Sequence, residues 1–256
     1  MDTLGDIPLE EVFKRFDDAL AFLRARTPIP AEQFYTLDDQ ARQKAFTVSN
    51  VGQMDMVQQV LESLEKALET GQDLKAWKDE IGPALRKAWA GEVDKPAFRL
   101  ELIYRNAVQT AFSHGRVRQM RDPAVTALRP FFLFDAILDG RTTDECSARD
   151  GVLLPADDPW WATNTPPIHH ACRSGIRSLR KSQADRRGGV NPPDREVELN
   201  PPGKGFGVAP TLSPAVQVQP FVPEVTGHPA LEGARLRKER EFAAAEEERR
   251  RQAALG

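Results

Sequence analysis

Residues 96–120 constrain the fold more than any other stretch of this chain. Leu100, Ile103, Tyr104, Ala107, Val108, Ala111, Phe112 and Gly115 recur at the i, i+3, i+4, i+7 spacing of one helical face. The spacing predicts a long helix, and the small residues at 107, 111 and 115 let a second helix come close. His114, Arg116, Arg118 and Arg121 gather toward its C-terminal end, where the helix dipole favours cations. Ordinary helix termination accounts for them.

Three more helices precede it. Over 8–25, Val12, Phe13, Phe16, Leu20 and Leu23 form an apolar stripe, with Pro8, Glu10 and Glu11 suited to a first turn. Over 54–69 the stripe is Val57, Val60, Leu61, Leu64 and Leu68, and Gly71 marks a stop. Over 73–90 it is Leu74, Trp77, Ile81, Leu85 and Trp89, with Pro83 expected to kink or split the helix.

Past Pro130 the period changes. The segments FFLFDAIL, GVLLP and RSGIRSL read as short strands of an antiparallel sheet. They enclose two long loops, 139–151 and 157–174. From 183 the chain turns rich in Pro and Gly, which reads as an extended, non-globular arm to about 230. Residues 231–256 are helix-forming and charged, with Glu246–Arg250 and Glu247–Arg251 at i, i+4. The predicted class is therefore α+β, mostly α. A helical N-terminal bundle (1–95) leads into an α+β module (96–182) with a small antiparallel sheet and two pinned loops. An extended Pro-rich arm (183–230) and a C-terminal helix (231–256) follow.

The net charge of −3 over 256 residues confines any nucleic-acid contact to a local patch. One such patch is Arg173, Arg177, Arg180, Lys181, Arg186 and Arg187, which would meet phosphate, meet an acidic protein face, or simply be solvated. The N-terminal stretch has no apolar core of signal length, and no run is long enough to cross a membrane.

The chemistry-bearing residues fall in the two loops. Cys146, His169, His170 and Cys172 are the soft and borderline donors that zinc takes, and four-coordinate sites need four. Adjacent histidines diverge, so His169 with Cys172 is the better pair, and Asp139 or a water is a candidate fourth ligand. A packed thiol beside solvated histidines, or a Cys146–Cys172 disulfide, is the competing reading; two cysteines in a chain of this kind fit a reducing cytosol, which argues against the disulfide. Asp157 and Asp158 precede Pro159, where turn chemistry explains them, and Trp160 and Trp161 read as loop anchors. No H-E-x-x-H, phosphate-cradling glycine loop or G-x-S-x-G occurs, so nothing in the sequence places a general base or nucleophile.

The order 139-DGRT-142, Cys146, Gly151, 157-DDPWW-161, 166-PP-167, 172-CR-173 resembles the phage Mu F-like minor head protein, or head-morphogenesis, family of tailed bacteriophages. The segments 104-YRNAVQTAFSHGRVRQM-120 and AFTVSNV near 45 resemble it too. The resemblance implies that Asp139, Arg141, Thr142, Gly151, Asp157, Asp158, Trp160, Pro166, Pro167 and Arg173 are structural landmarks. It implies zinc at Cys146, His169 and Cys172 as a candidate cofactor. Two cysteines of the family pattern are replaced here, by Thr143 and Ser174. The resemblance further implies a non-enzymatic protein inside the phage head, partnered by portal, major capsid or scaffold proteins, with packaged DNA as a further contact. A metal-dependent nuclease and a plain DNA-binding module remain the alternatives.

Overall fold

The structure, a computed structural model, describes residues 3–4 and 7–209, with side chains from Asp17 onward except Asp39 and Gln40. The expected helix at 231–256 and the later part of the arm lie outside the described residues.

The chain opens with the strands β1 (Thr3–Leu4) and β2 (Ile7–Pro8), paired antiparallel. Helix α1 (Leu9–Arg24) begins after Pro8. Strand β3 (Thr27–Pro28) then pairs in parallel with β4 (Ala45–Phe46), across the short helices α2 (Ala31–Phe34) and α3 (Asp39–Lys44). Helix α4 (Met54–Thr70) ends where sequence chemistry says it must. Gly71 takes φ +69°, a left-handed conformation that costs a residue with a Cβ, and the N–H of Gln72 returns to Ala67 O at 2.9 Å. Asp73 then caps α5 (Leu74–Ala88), accepting from Ala76 N at 2.8 Å. Pro83 lies within this one helix and does not split it. The long helix α6 (Pro96–Met120) has the bounds its periodicity predicts, with Pro96 at the first turn.

Helices α1, α4, α5 and α6 bury one core through Leu23, Val57, Val60, Leu61, Leu64, Trp77, Leu85, Trp89, Leu100, Ala107 and Ala111. Its polar tips are satisfied. Trp77 Nε1 donates to Ser63 Oγ at 2.9 Å, and Trp89 Nε1 donates to Ser49 O at 3.2 Å. One expectation fails here. His114 is buried and stacked on Phe22, with ring centroids 3.9 Å apart, so it is not a solvated cation at a helix end. Burial first, and Arg26 second, hold its pKa down to about 3.

After α7 (Pro123–Leu128) comes the sheet, ordered β6-β5-β7 and antiparallel throughout, with β5 (Phe131–Asp135) in the centre. Strand β6 (Leu153–Pro155) sets Leu154 opposite Phe132, and β7 (Gly175–Leu179) sets Ile176 opposite Phe134. The run of apolar residues in β5 has a plain cause: both faces are covered. Phe132 and Phe134 face Val117 and Met120 of α6 and the loop residues Trp161 and Ile168. Leu133, with Phe131 beside it, packs on Leu153, Leu179 and Ala184 of α9 (Lys181–Asp185). The first loop carries α8 (Asp144–Arg149), and the second carries a 3-10 turn over Pro159–Ala162.

Over 183–209 the arm mixes short helices, turns and irregular chain, and it is not free. After α9 it pairs Asn191 with Leu153, forms α10 (Arg195–Leu199), and buries Val197 in the core shared by sheet and loops. Residues 203–209 then run against the second loop. Gly203 N donates to Ile168 O (2.8 Å), Gly207 N to Pro167 O (3.0 Å), Thr165 N to Gly207 O (2.7 Å) and Ala209 N to Ala162 O (3.0 Å). Backbone hydrogen bonding seats this Pro/Gly-rich strap, and composition does not report that. No helix among the described residues is long and apolar enough to cross a membrane.

Candidate metal centre

Cys146 sits in the short helix α8, which carries Asp144 and Glu145 at its start and Arg149 at its end. His169 and Cys172 lie in the second loop, 23 and 26 residues on. The fold brings these three together: their ligating atoms all lie within 4.8 Å of one another. Cys146 Sγ is 3.0 Å from His169 Nε2 and 3.8 Å from Cys172 Sγ. Both cysteines are buried and unbridged, and His169 is half-buried. The imidazole is oriented by its other nitrogen: Nδ1 donates to the His170 carbonyl at 2.7 Å, which leaves Nε2 as the lone-pair atom facing the sulfurs.

The thiols influence each other. The hydrogen bond with Cys172, helped by Ser174 and Thr143, lowers the Cys146 thiol, whereas that same bond and burial raise Cys172. Two hydroxyls complete the surroundings. Ser174 Oγ donates to Cys146 Sγ at 3.0 Å, and Thr143 Oγ1 lies 3.0 Å from His169 Nε2.

Asp139 is not part of this cluster. Arg173 grips it with two bonds, Nη1 to Oδ2 at 2.7 Å and Nη2 to Oδ1 at 2.5 Å. That grip, with the Arg141 N–H at 2.9 Å, holds its carboxyl far below the usual range. Thr142 closes the same turn, taking Asp139 N–H at 2.7 Å and donating to Ile137 O at 2.5 Å. The D-G-R-T turn is therefore a brace that ties the first loop to the chain just past Cys172. Gly151 turns into β6 at φ +80°, its N–H on Phe134 O. Asp158 caps the 3-10 turn through Trp160 N at 2.9 Å, while Asp157 is exposed. Trp160 and Trp161 pack edge to face at 4.8 Å and meet Phe134 and Phe132. Trp161 Nε1 donates to Pro155 O at 2.9 Å. Pro166–Pro167 is a cis bond.

His170 points elsewhere. It takes a hydrogen bond from Asn106 Nδ2 at 2.8 Å and meets the Phe206 ring edge-on at 4.8 Å. Of the basic row, Arg173 pairs with Asp139, Arg177 with Asp135 (3.7 Å) and Lys181 with Asp185 (3.0 Å). Arg180, Arg186 and Arg187 are exposed.

Sequence reasoning missed the helix face that holds the ligand loop. Asn106 Oδ1 accepts from Ala171 N (2.8 Å), Gln109 donates to Ser174 O (3.3 Å), and Ser113 donates to Pro166 O. Positions 106, 109 and 113 share one face of α6, and that polar i, i+3, i+7 stripe was the available signal. Buried Arg149 was missed as well. It bonds Asn164 Oδ1 (2.9 Å), Glu145 O (2.9 Å) and Asn200 O (2.7 Å), joining both loops to the end of α10.

These contacts define a class: a small α+β module, its two loops pinned to each other and to one long helix around a cluster of side chains close enough to hold a metal ion. The family model described as Phage Mu protein F like protein matches residues 58–177 of this chain. The chain is 28% identical over 186 residues to the putative capsid assembly protein F of Escherichia phage Mu, covering 67% of this chain and 42% of that one. It is 25% identical over 178 residues to the Mu-like prophage FluMu F protein of Haemophilus influenzae, covering 65% and 42%. The chain thus spans less than half the length of these two curated relatives. No solved structure matches it.

Proposed function

We propose that this protein is a structural component of phage head assembly, built into the head interior through contacts with portal, major capsid or scaffold proteins. The observation that carries the reading is the likeness, over two thirds of the chain, to a protein described as a putative capsid assembly protein. The build of the module supports it. The family landmarks Asp139, Thr142, Asp158, Trp160 and Pro166 are all spent on holding loops in place. That is the work of a building block, not of a site that turns over a substrate. In the same reading zinc at Cys146, His169 and Cys172 is a structural clip, and a bound structural zinc contributes on the order of 10 kcal/mol to folding.

Expression of the full chain with the other head proteins of its phage tests this. The chain co-purifies with a head protein after treatment with nuclease and with chelator, and it is present in purified heads. His169→Ala and Cys172→Ala lower its incorporation. Absence from heads overturns the proposal.

A DNA-contacting role has one observation in its favour, the exposed Arg180, Arg186 and Arg187. Binding that weakens steeply with salt, and co-purification abolished by nuclease, would favour that role instead.

A further inference from the structure

The geometry of the cluster bears on how an ion would be held. Two thiolates at ~2.3 Å from a tetrahedral zinc stand ~3.8 Å apart, and the Sγ atoms of Cys146 and Cys172 are 3.8 Å apart. The Cys146 Sγ to His169 Nε2 separation of 3.0 Å is shorter than the ~3.5 Å edge a zinc with these ligands would set, so binding spreads sulfur and ring by about half an ångström. Nε2 already has the tautomer that ligation needs, because Nδ1 donates to His170 O.

The two hydroxyls point the same way. Thr143 Oγ1 lies 3.0 Å from Nε2, where its hydroxyl donates to the ring's lone pair. Ser174 spends its proton on Cys146 Sγ and is itself buried. Both hydroxyls therefore border the three ligand atoms, whereas Asp139 is taken up by Arg173 and is no part of the cluster.

We infer that the cluster binds one zinc ion through three protein ligands, Cys146 Sγ, His169 Nε2 and Cys172 Sγ, with a water molecule in the fourth position between the hydroxyls of Thr143 and Ser174. This rests on the clip reading above and specifies its coordination. Both thiols lose their protons to solvent on binding, and Nε2 needs to lose none. Closed structural sites carry four protein ligands. Here one corner is open, so the ion is more exchangeable than in a four-ligand site, and a thiol introduced at either hydroxyl position closes it.

The test uses the purified full chain, titrated with Co²⁺ as a spectroscopic probe and with zinc against a chromophoric chelator. The wild type takes one equivalent with charge-transfer intensity for two thiolates. Ser174→Cys and Thr143→Cys are made separately, so that a folding failure in one leaves the other, and each fold is checked by circular dichroism. In the folded variant the intensity rises by about half, as a third thiolate joins two, and zinc binds at least about tenfold tighter, a gain of about 1.4 kcal/mol. If the wild type binds one equivalent but neither variant changes intensity or affinity, the open corner is wrong while the clip stands. If the wild type binds no metal, both fall, and the cluster is a thiol–imidazole hydrogen bond. Neither result depends on incorporation into heads.

Discussion

His114 carries a cost that appears only in acid. Its ring is sealed between α1 and α6 against Phe22, with Arg26 the charged group that acts on it. In the unfolded chain a histidine titrates near 6.5, whereas here its pKa is held down to about 3. Above pH 6.5 both states are neutral and nothing is lost. As pH falls from there toward 3 the unfolded chain takes up a proton that the folded one refuses, and stability falls by about 2 kcal/mol by pH 5. His114→Phe keeps a ring against Phe22 and removes the titration. Urea midpoints measured between pH 7 and pH 4 should fall more shallowly for this variant than for the wild type. The sequence shows His114 one turn and a half from a helix end among arginines, and a helix end is what it suggests. Only the docking of α1 turns that position inward. Cys146, His169 and Cys172 were readable for the opposite reason, since ligand chemistry singles out residue types wherever they stand in the chain.

Elements divide by length in what the sequence reveals. The four long helices follow from periodicity, because each spans enough residues for a face to repeat, and the three sheet strands follow from short apolar runs past Pro130. Helices α2, α3, α8 and α10 have four to six residues, too few for a period to register. The strap fails to show for another reason: Pro and Gly content is the same whether such a segment is free or seated. Gly207 gives it a measurable signature. It sits at φ +79°, and a Cβ there would run into Thr163 O and also meet Pro202 at 3.0 Å. Gly207→Ala would therefore unseat the strap, since the left-handed backbone alone costs about 1–2 kcal/mol before the clash is counted. Hydrogen exchange should show lost protection at the amides of Thr165, Gly203 and Gly207, with the helical core unchanged. Protection as in the wild type would mean that the strap is not held as described.

At the scale of the whole molecule, α6 belongs to two cores. Leu100, Ala107 and Ala111 pack with the other long helices, and Val117 and Met120 pack with the sheet and loops. Damage to the second core should accordingly be felt in the first. Trp161 is fully buried on the far side of that second core, so Trp161→Ala would cost about 3–5 kcal/mol. Urea unfolding followed by helix dichroism and by tryptophan fluorescence should give one coincident transition at a lower midpoint. Two separated transitions would show that the helical part and the sheet part unfold independently.

The last described residues are gripped from two sides. Ala209 is tied through its N–H to Ala162 in the second loop, and through its carbonyl to Gln43 Nε2 of α3 at 3.3 Å. A tension applied along the chain beyond this point therefore loads the second loop and α3 at the same moment. The attachment resists as a knot does, with its strands held in parallel, instead of peeling away one bond after another.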